Sequence, residues 1–359
     1  MVTLRDVARA AGVSPATASR ALAQPHRVSP ERRRQVEQAA RQLGYTAGRV
    51  DAPASRSIGL VVPDMQNPFF AGIGKGVEHR ARTVGLSVVV ADADEDPRLE
   101  NEILQDMASR VDGIVLCSAR MSDQALAALT HLPDMVLVNR ESEHLRSVVV
   151  DNEDGIRQAV AHLHALGHRR IAYAGGQWGS WSDRERRRGL ETAAHALPDI
   201  ELIQLGHFPT VFEGGVAAAD LVSASGATAV IAHNDLIALG ILDRLRSRGT
   251  MVPQDVSVVG FDDIPGATQV TPALTTVSVP LRLLGRAAVD LLLDPHHRLP
   301  EPDARATGPD VATGPDGLGL TPGGGVPEGT EAADEDGPPS QTMPVSLVVR
   351  SSTGPAPQR

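Results

Sequence analysis

Seven consecutive residues near the start of the chain, Ser14-Pro15-Ala16-Thr17-Ala18-Ser19-Arg20, concentrate hydroxyls, small side chains and one guanidinium. A serine followed by proline is an N-cap with proline at the first helical position, so these side chains are expected to open a short helix. The hydroxyls of Ser14, Thr17 and Ser19 can donate to phosphate oxygens. The planar fork of Arg20 matches guanine O6 and N7. Small residues at the helix start, Pro15 and Ala16, let such a helix enter a major groove deeply. The chemistry that this cluster supports is recognition of duplex nucleic acid.

The flanking elements are expected to hold that helix in place. Thr3 followed by Asp6 resembles a capping box for a helix through about Ala10, and Gly12 breaks it. The second helix runs from Pro15 to about Leu22. Ser29-Pro30-Glu31 opens a third, closed by Gly44. Leu4, Val7, Ala8, Val13, Ala18, Leu22, Val28, Val36, Ala40 and Leu43 recur at helical spacing and are expected to form a three-helix core. A tight helix–Gly–helix joint is the geometry of a helix-turn-helix. Charge agrees with this. Residues 1–50 carry nine arginines against three acidic side chains, a net +6 that leaves −16 for the rest of a chain whose total is −10. A basic head on an acidic body fits one module touching phosphate and another that does not.

The chain has 359 residues, enough for two or three domains, with 42% apolar residues but only 3% aromatic. One cysteine, Cys117, excludes an intramolecular disulfide framework. Arg5, Asp6 and Arg9 interrupt any signal-peptide core, and no apolar run is long enough to span a bilayer. A cytoplasmic protein is the expectation. From Ile58 onward, short Val/Ile-rich runs (IGLVV, LSVVVAD, GIVLC, MVLVN, SVVVD, IAYAGG, IELIQLG, ATAVIAH, VSVVGFD, LTTVSV and VSLVV) alternate with helical stretches. Continuous apolar strands separated by amphipathic helices predict parallel sheets covered on both faces. So many strands exceed one open sheet, so two Rossmann-like halves are expected. Ligands of such folds bind at the carboxyl ends of strands, here in a cleft between the halves. The segments at those ends are PDMQNPFF, NEDG, NDLIALG and FDDIP.

The stretches VTLRDVARAAGVSPATASRAL and VSPERRRQVEQAARQLGY resemble the headpiece of the LacI/GalR (lactose-repressor) family. The strand-end segments, with SDRERRRGL and TPALTTV, resemble the same family's periplasmic-binding-protein-like body. The resemblance implies base reading by Pro15, Ala16 and Arg20, and backbone anchoring by Thr3, Ser14, Thr17 and Ser19, with Arg27 also at the DNA. It implies a homodimer on a near-palindromic operator, and a small-molecule effector bound by Arg186, Asn234 and Asp262. Phe69, Phe208 and one of Trp178 or Trp181 would stack on the apolar face of a sugar. The family often has Asn where this chain has Ala23, and Gln and an aromatic where it has Val279 and Leu281, which bears on sugar specificity. The family's hinge helix wedges an apolar side chain, typically Leu, into the minor groove. Here the link TAGRVDAPASRS offers only Val50, while Gly48 and Pro53 disfavour a helix, so a tether is expected.

The domain reading is thus a helix-turn-helix over 1–45, a linker over 46–57, and an effector-binding and dimerisation body over 58–359. Within that body, residues 299–341 are rich in Pro, Gly and acid and read as a disordered insertion, after which VSLVVR returns to the second half. Asp235 and Asp263 read as helix caps. Gly72, Gly74 and Gly76 with Lys75 fit no phosphate-loop spacing and read as close helix packing. His162, His164 and His168 point apart, and the acidic run Asp92, Asp94, Glu95 and Asp96 lacks a calcium-loop register. No GxSxG or cofactor motif is present, and neither metal nor cofactor is expected. The reading is a DNA-binding regulator, a repressor, gated by a sugar or sugar derivative. The alternatives are a nucleoside or purine effector, a plain solute-binding protein, and an enzyme, for which no catalytic constellation is seen.

Overall fold

The computed structural model describes residues 4–15, 17–18, 21, 28–43, 56–132, 134–297, 338 and 340–358. They fall into two compact units that divide before Arg56.

In the first unit, helix Leu4–Ala10 is followed by a turn at Gly12, whose φ of 64° is the left-handed conformation that glycine takes without strain. Pro15, Thr17, Ala18 and Ala21 are helical, and helix Pro30–Gln42 follows. Val7, Ala8, Ala18, Ala21, Val36, Ala39 and Ala40 form a core of small side chains, with Val13 and Val28 against it. Leu43, expected in that core, is exposed because it lies beyond the last helical turn.

The second unit contains two six-stranded sheets. The first is ordered β11-β5-β4-β3-β1-β2, with β1 Ser57–Val62, β2 Ser87–Asp92, β3 Gly113–Cys117, β4 Met135–Val138, β5 Arg146–Val150 and β11 Ser340–Met343. The second is ordered β12-β10-β9-β8-β6-β7, with β6 Arg170–Gly175, β7 Glu201–His207, β8 Ala229–Ala232, β9 Ser257–Asp262, β10 Thr275–Ser278 and β12 Ser346–Val348. All pairings are parallel except β10 with β12. The central strands β3, β4, β8 and β9 are buried throughout, as expected of strands covered by helices on both faces. The edge strands β2 and β7 are partly exposed. Ser57, placed in the linker by the sequence, begins β1.

The chain passes between the sheets three times, after β5, after β10 and after β11. The first crossing runs from β5 into helix Asn152–Ala165, which packs on β10 and β12 before the chain reaches β6, and the other two join β10, β11 and β12. The opposite edges, β2 and β7, carry no crossing. Helix Leu281–Leu293 returns from β10 to pack on helix Pro68–Thr83. Contact is close because a Cβ at Gly76 would overlap the Arg282 carbonyl and one at Gly285 the Ile73 carbonyl. That is the packing expected for the glycine-rich stretch.

One boundary differs from expectation. Ser340 and Gln341, counted as insertion, belong to β11, which pairs Ser340 with Ser147 and Met343 with Val150. The sequence SQTM carries one apolar residue and hid the strand. Residues 299–337 and the linker 46–55 lie outside the described residues. VSLVV supplies β12, in the second sheet as expected, but antiparallel to β10. Among the described residues no helix is long and apolar enough to cross a membrane.

Candidate functional site

Strand ends from both halves meet around a narrow cavity with about 30 Å³ of free space, well below the roughly 300–1,000 Å³ of open small-molecule sites. The first half contributes Asn67, Phe69, Phe70, Ser118, Arg120 and Asn139. Asn67 follows β1 and caps helix Pro68–Thr83, accepting from Phe69 N at 3.0 Å. Phe69 and Phe70 meet edge to face with centroids 5.1 Å apart. Ser118 and Asn139 are the first residues after β3 and β4, both in the left-handed region with φ of 45° and 57°. Asn139 Nδ2 donates to Ser118 Oγ at 2.9 Å, while its buried Oδ1 has no partner among the described residues. Arg120 forms a two-point ion pair with Glu95, and its N–H and that of Met121 donate to the buried Glu100 carboxylate. Burial pushes the Glu100 carboxyl up despite those donors.

The second half contributes Ser180, Ser182, Arg186, Thr210, His233, Asn234 and Asp262. Ser180 caps helix Trp181–Ala196, which carries Arg186 inward on its second turn. Arg186 is 2% exposed. Its Nε donates to Asn152 Oδ1 at 2.9 Å, its Nη1 to the His233 carbonyl, and its guanidinium lies 3.6 Å from the Phe261 ring centroid. Asp262 ends β9 with φ of 115°, a strained value for a non-glycine residue. Its Oδ1 stands 3.8 Å from Arg186 Nη2. Burial pushes Asp262 well above the usual carboxylate range and Arg186 below its own, each opposed by the other's charge. The separation is too long for the pair to offset the loss of water.

Behind this pair, Asp183 collects the Tyr173 hydroxyl at 2.9 Å, the Gly176 N–H at 2.7 Å and Arg187 Nε at 2.7 Å. Burial pushes its carboxyl up, and donors from His233, Arg187 and Gly176 more than reverse this, so it stays ionised. His233 Nδ1 lies 3.4 Å from Asp183. Burial and the nearby Arg186 push its imidazole down to about 4, so the ring is neutral at ordinary pH. The cavity therefore offers one cation-rich wall, one buried carboxylate, a neutral imidazole, amides, hydroxyls and two phenyl rings. Such a set suits a neutral, hydroxyl-rich small molecule with an apolar face.

Of the expected effector residues, Phe69, Arg186, Asn234 and Asp262 come together here. Asn234 does double duty, since its Oδ1 caps helix Asp235–Ser247 through Ile237 N at 2.9 Å and its Nδ2 donates to the Thr210 carbonyl. Phe208 instead packs into the apolar core of the second half, just beyond β7, and does not line the cavity. Trp178 lies on the loop after β6 and Trp181 opens helix Trp181–Ala196, both outside the lining. The sequence reading missed Ser118, Arg120, Asn139, Ser180, Ser182, Thr210 and His233. Extending the strand-end rule to β3 and β4 would have found Ser118 and Asn139, whereas His233 was counted in the run ATAVIAH but stands just beyond β8, which ends at Ala232. Val279 is buried in the core, and Leu281 packs where a Cβ on Gly72 would sit.

Two expected caps prove otherwise. Asp235 is fully buried and accepts from Thr276 Oγ1 at 2.5 Å and Ile264 N at 2.9 Å, tying the segment after β9 to β10. Asp263 pairs with Arg350 at 2.6 Å. The three histidines diverge as expected. His162 bonds Thr353 and His164 bonds Asp199, while His168 bonds Thr228, Ser257 and Gly354. In the headpiece, Ser14 Oγ accepts from Thr17 N at 3.1 Å and lies 2.8 Å from Thr17 Oγ1, the expected N-cap. Ser14 and Pro15 are exposed and Thr17 half-buried. Thr3, Ala16, Ser19, Arg20, Arg27 and Val50 lie outside the described residues.

Residues 3–47 match the family model described as bacterial regulatory proteins, lacI family, and residues 160–312 match a periplasmic binding protein-like domain. The chain is 35% identical over 305 residues to the HTH-type transcriptional repressor CytR of Escherichia coli (strain K12), covering 81% of this chain and 89% of CytR. It resembles the transcriptional regulator CelR–cellobiose complex (TM-score 0.64, 30% identity, 98% and 100% of the two chains). It also resembles the lac repressor dimer bound to operator and the anti-inducer ONPF (TM-score 0.66, 28% identity, 98% and 99%). With a helix-turn-helix head, a two-sheet body and a repressor sharing a third of its residues over most of both lengths, this chain belongs to the LacI family of DNA-binding transcriptional regulators.

Proposed function

We propose that the protein is a cytoplasmic, homodimeric repressor whose operator affinity is set by a sugar or sugar derivative held in the cavity between the two sheets. The observation that carries this reading is the buried Arg186–Asp262 pair, 3.8 Å apart at the carboxyl end of β9 and facing the cavity. Vicinal hydroxyls can bridge such a pair, donating to the carboxylate and accepting from the guanidinium. Phe69 supplies an apolar surface, and Asn139 and His233 supply further polar contacts. The CelR structure is that of a cellobiose complex, which supports a carbohydrate here. Pro15, Ala16 and Arg20 read bases in the major groove, Thr3, Ser14, Thr17 and Ser19 anchor the backbone, Arg27 also meets the DNA, and Val50 lies on a tether that bends DNA little. An effector that alters the population of DNA-competent dimers must bind the two populations with different affinity, and operator and effector are then reciprocally coupled.

The test is selection of duplexes by the purified protein from a random library, followed by displacement with a panel of sugars. Enrichment of a near-palindrome that a sugar modulates is the expected result. Enrichment that no sugar alters, with release by a nucleoside instead, overturns the effector class. No enrichment overturns the regulator reading.

A further inference from the structure

The chain holds five Phe, two Trp and two Tyr, and both tryptophans fall close together, Trp178 in the loop after β6 and Trp181 at the first position of the helix that follows. Trp178 is 81% exposed. Its ring meets His207 edge to face with centroids 4.9 Å apart. A tight turn presents it. Ser180 N donates to the Gln177 carbonyl at 3.1 Å, and Gly179 takes φ of 83°, which the turn requires. The turn is fixed at its base, where Gly176 N donates to buried Asp183 and His207 Nδ1 donates to the Gly176 carbonyl at 2.9 Å. A large aromatic ring is thus presented to solvent on a defined turn rather than folded away.

The other half carries a counterpart. Met65 is 56% exposed and stands two residues before Asn67, the cap of its helix, as Trp178 stands two residues before Ser180. Asn67 and Ser180 both line the cavity. β1 and β6, which lead into these loops, hold equivalent places beside the open edges β2 and β7. Met65 and Trp178 therefore hold equivalent places in the two halves, each two residues before a residue that lines the cavity, beside the β2 and β7 edges. Polar groups border the tryptophan, with Gln177 and His207 beside it and Arg187 held between Asp183 and Gly206.

We propose that Trp178, with Met65 at the equivalent place in the other half, is an outer subsite that stacks on a second sugar ring. The effector is then an oligosaccharide, with one ring in the cavity and the next at its mouth. An indole face rimmed by polar groups complements a ring with one apolar face and a hydroxyl edge. This inference rests on the cavity being a carbohydrate site.

The test is calorimetric titration of the full-length protein and its Trp178→Ala, Trp178→Phe and Met65→Ala variants. The probes are glucose, galactose, xylose and ribose, the disaccharides cellobiose, lactose, maltose and xylobiose, and the nucleosides cytidine and adenosine. Because Trp178 is so exposed, Trp178→Ala is expected to melt as the wild type does. One disaccharide should bind about tenfold tighter than its monosaccharide. Trp178→Ala should erase that difference without weakening the monosaccharide, and Trp178→Phe should keep most of it. Met65→Ala should lose part. An unchanged ratio in Trp178→Ala overturns the outer subsite while leaving the cavity reading intact, as does equal weakening of both sugars. Binding of a nucleoside alone, sensitive to Trp178, assigns the platform to a base and overturns the proposal. Binding of no probe overturns the cavity reading and the subsite together.

Discussion

Arg186 Nη2 and Asp262 Oδ1 face each other across 3.8 Å inside the body, both nearly without solvent, and do not hydrogen-bond. Arg186 spends its other donors on Asn152 and on the His233 carbonyl and rests its plane on Phe261. Asp262 is the less committed partner, so the two residues separate binding from folding. Asp262→Asn keeps the shape and replaces a carboxyl that burial already pushes toward its neutral form, and the fold is expected to survive it unharmed. Its loss of a carboxyl acceptor for the effector's hydroxyls should weaken the effector by about 1.4 kcal/mol, roughly tenfold. Arg186→Ala breaks three attachments at once and should destabilise the body by about 3 kcal/mol or more. The two variants are compared by thermal melts and sugar titration. An Asp262→Asn protein with wild-type sugar affinity would remove Asp262 from the site.

The packing of helix Leu281–Leu293 on helix Pro68–Thr83 gives a second contrast. At Gly76 a methyl group would overlap backbone atoms of Arg282, whereas at Gly74 it would touch only Leu60 Cδ2 at 3.4 Å. Gly76→Ala should cost about 3 kcal/mol or more, because a backbone cannot yield as a side chain can. Gly74→Ala should be neutral, or stabilise by about 0.5–1 kcal/mol through helix propensity. Urea midpoints of the two variants decide it, and equal effects would show that the helices are not packed this closely.

Much of this architecture was legible because parallel, doubly covered strands must be continuous apolar runs, and IGLVV or MVLVN can be little else. The cavity was legible where a strand end carried an ionisable residue, as at Asp262. Asn139 and Ser118 escaped notice because an uncharged residue after a strand looks like any loop. Asp235 was misread for the opposite reason. An acidic residue at the start of a helix has the look of a cap, but burial by β9 and β10 sets its role, and no local pattern reveals that. SQTM was missed because its strand is held by pairing with β5, not by its own apolarity.

In the headpiece, capping and base reading can be told apart by where a substitution hurts. Ser14 Oγ is already engaged by the Thr17 amide. Ser14→Ala should therefore lower headpiece stability by about 1 kcal/mol and weaken selected and scrambled duplexes alike. Arg20→Ala should cost about 1–3 kcal/mol per half-site on the selected duplex and far less on the scrambled one. Fluorescence anisotropy on both duplexes measures the difference. Equal losses for Arg20→Ala would make it a phosphate contact.

The last expectation concerns pH. Burial pushes the Asp235 carboxyl up to about 7, against the opposing hydrogen bonds from Thr276 and Ile264 N. A carboxyl that holds its proton more tightly in the folded chain than in the unfolded one costs nothing below the unfolded value near 4. Its cost grows as pH rises through that window and is complete above about 7. For a shift of this size the full cost is about 4 kcal/mol. His233 works the other way, since its lowered value makes the fold lose stability as pH falls from 6.5 toward 4. The two effects overlap in wild-type protein, so the measurement is a difference. Asp235→Asn removes one titration and leaves the histidine in place. The variant should therefore gain on the wild type by a few kcal/mol in urea unfolding between pH 4.5 and 7.5, and Asp262, which the Asp235 charge helps to push up, adds to that gain in the same direction. A constant gap across that range would mean that Asp235 is ionised throughout, with Thr276 and Ile264 N sufficient to hold the charge.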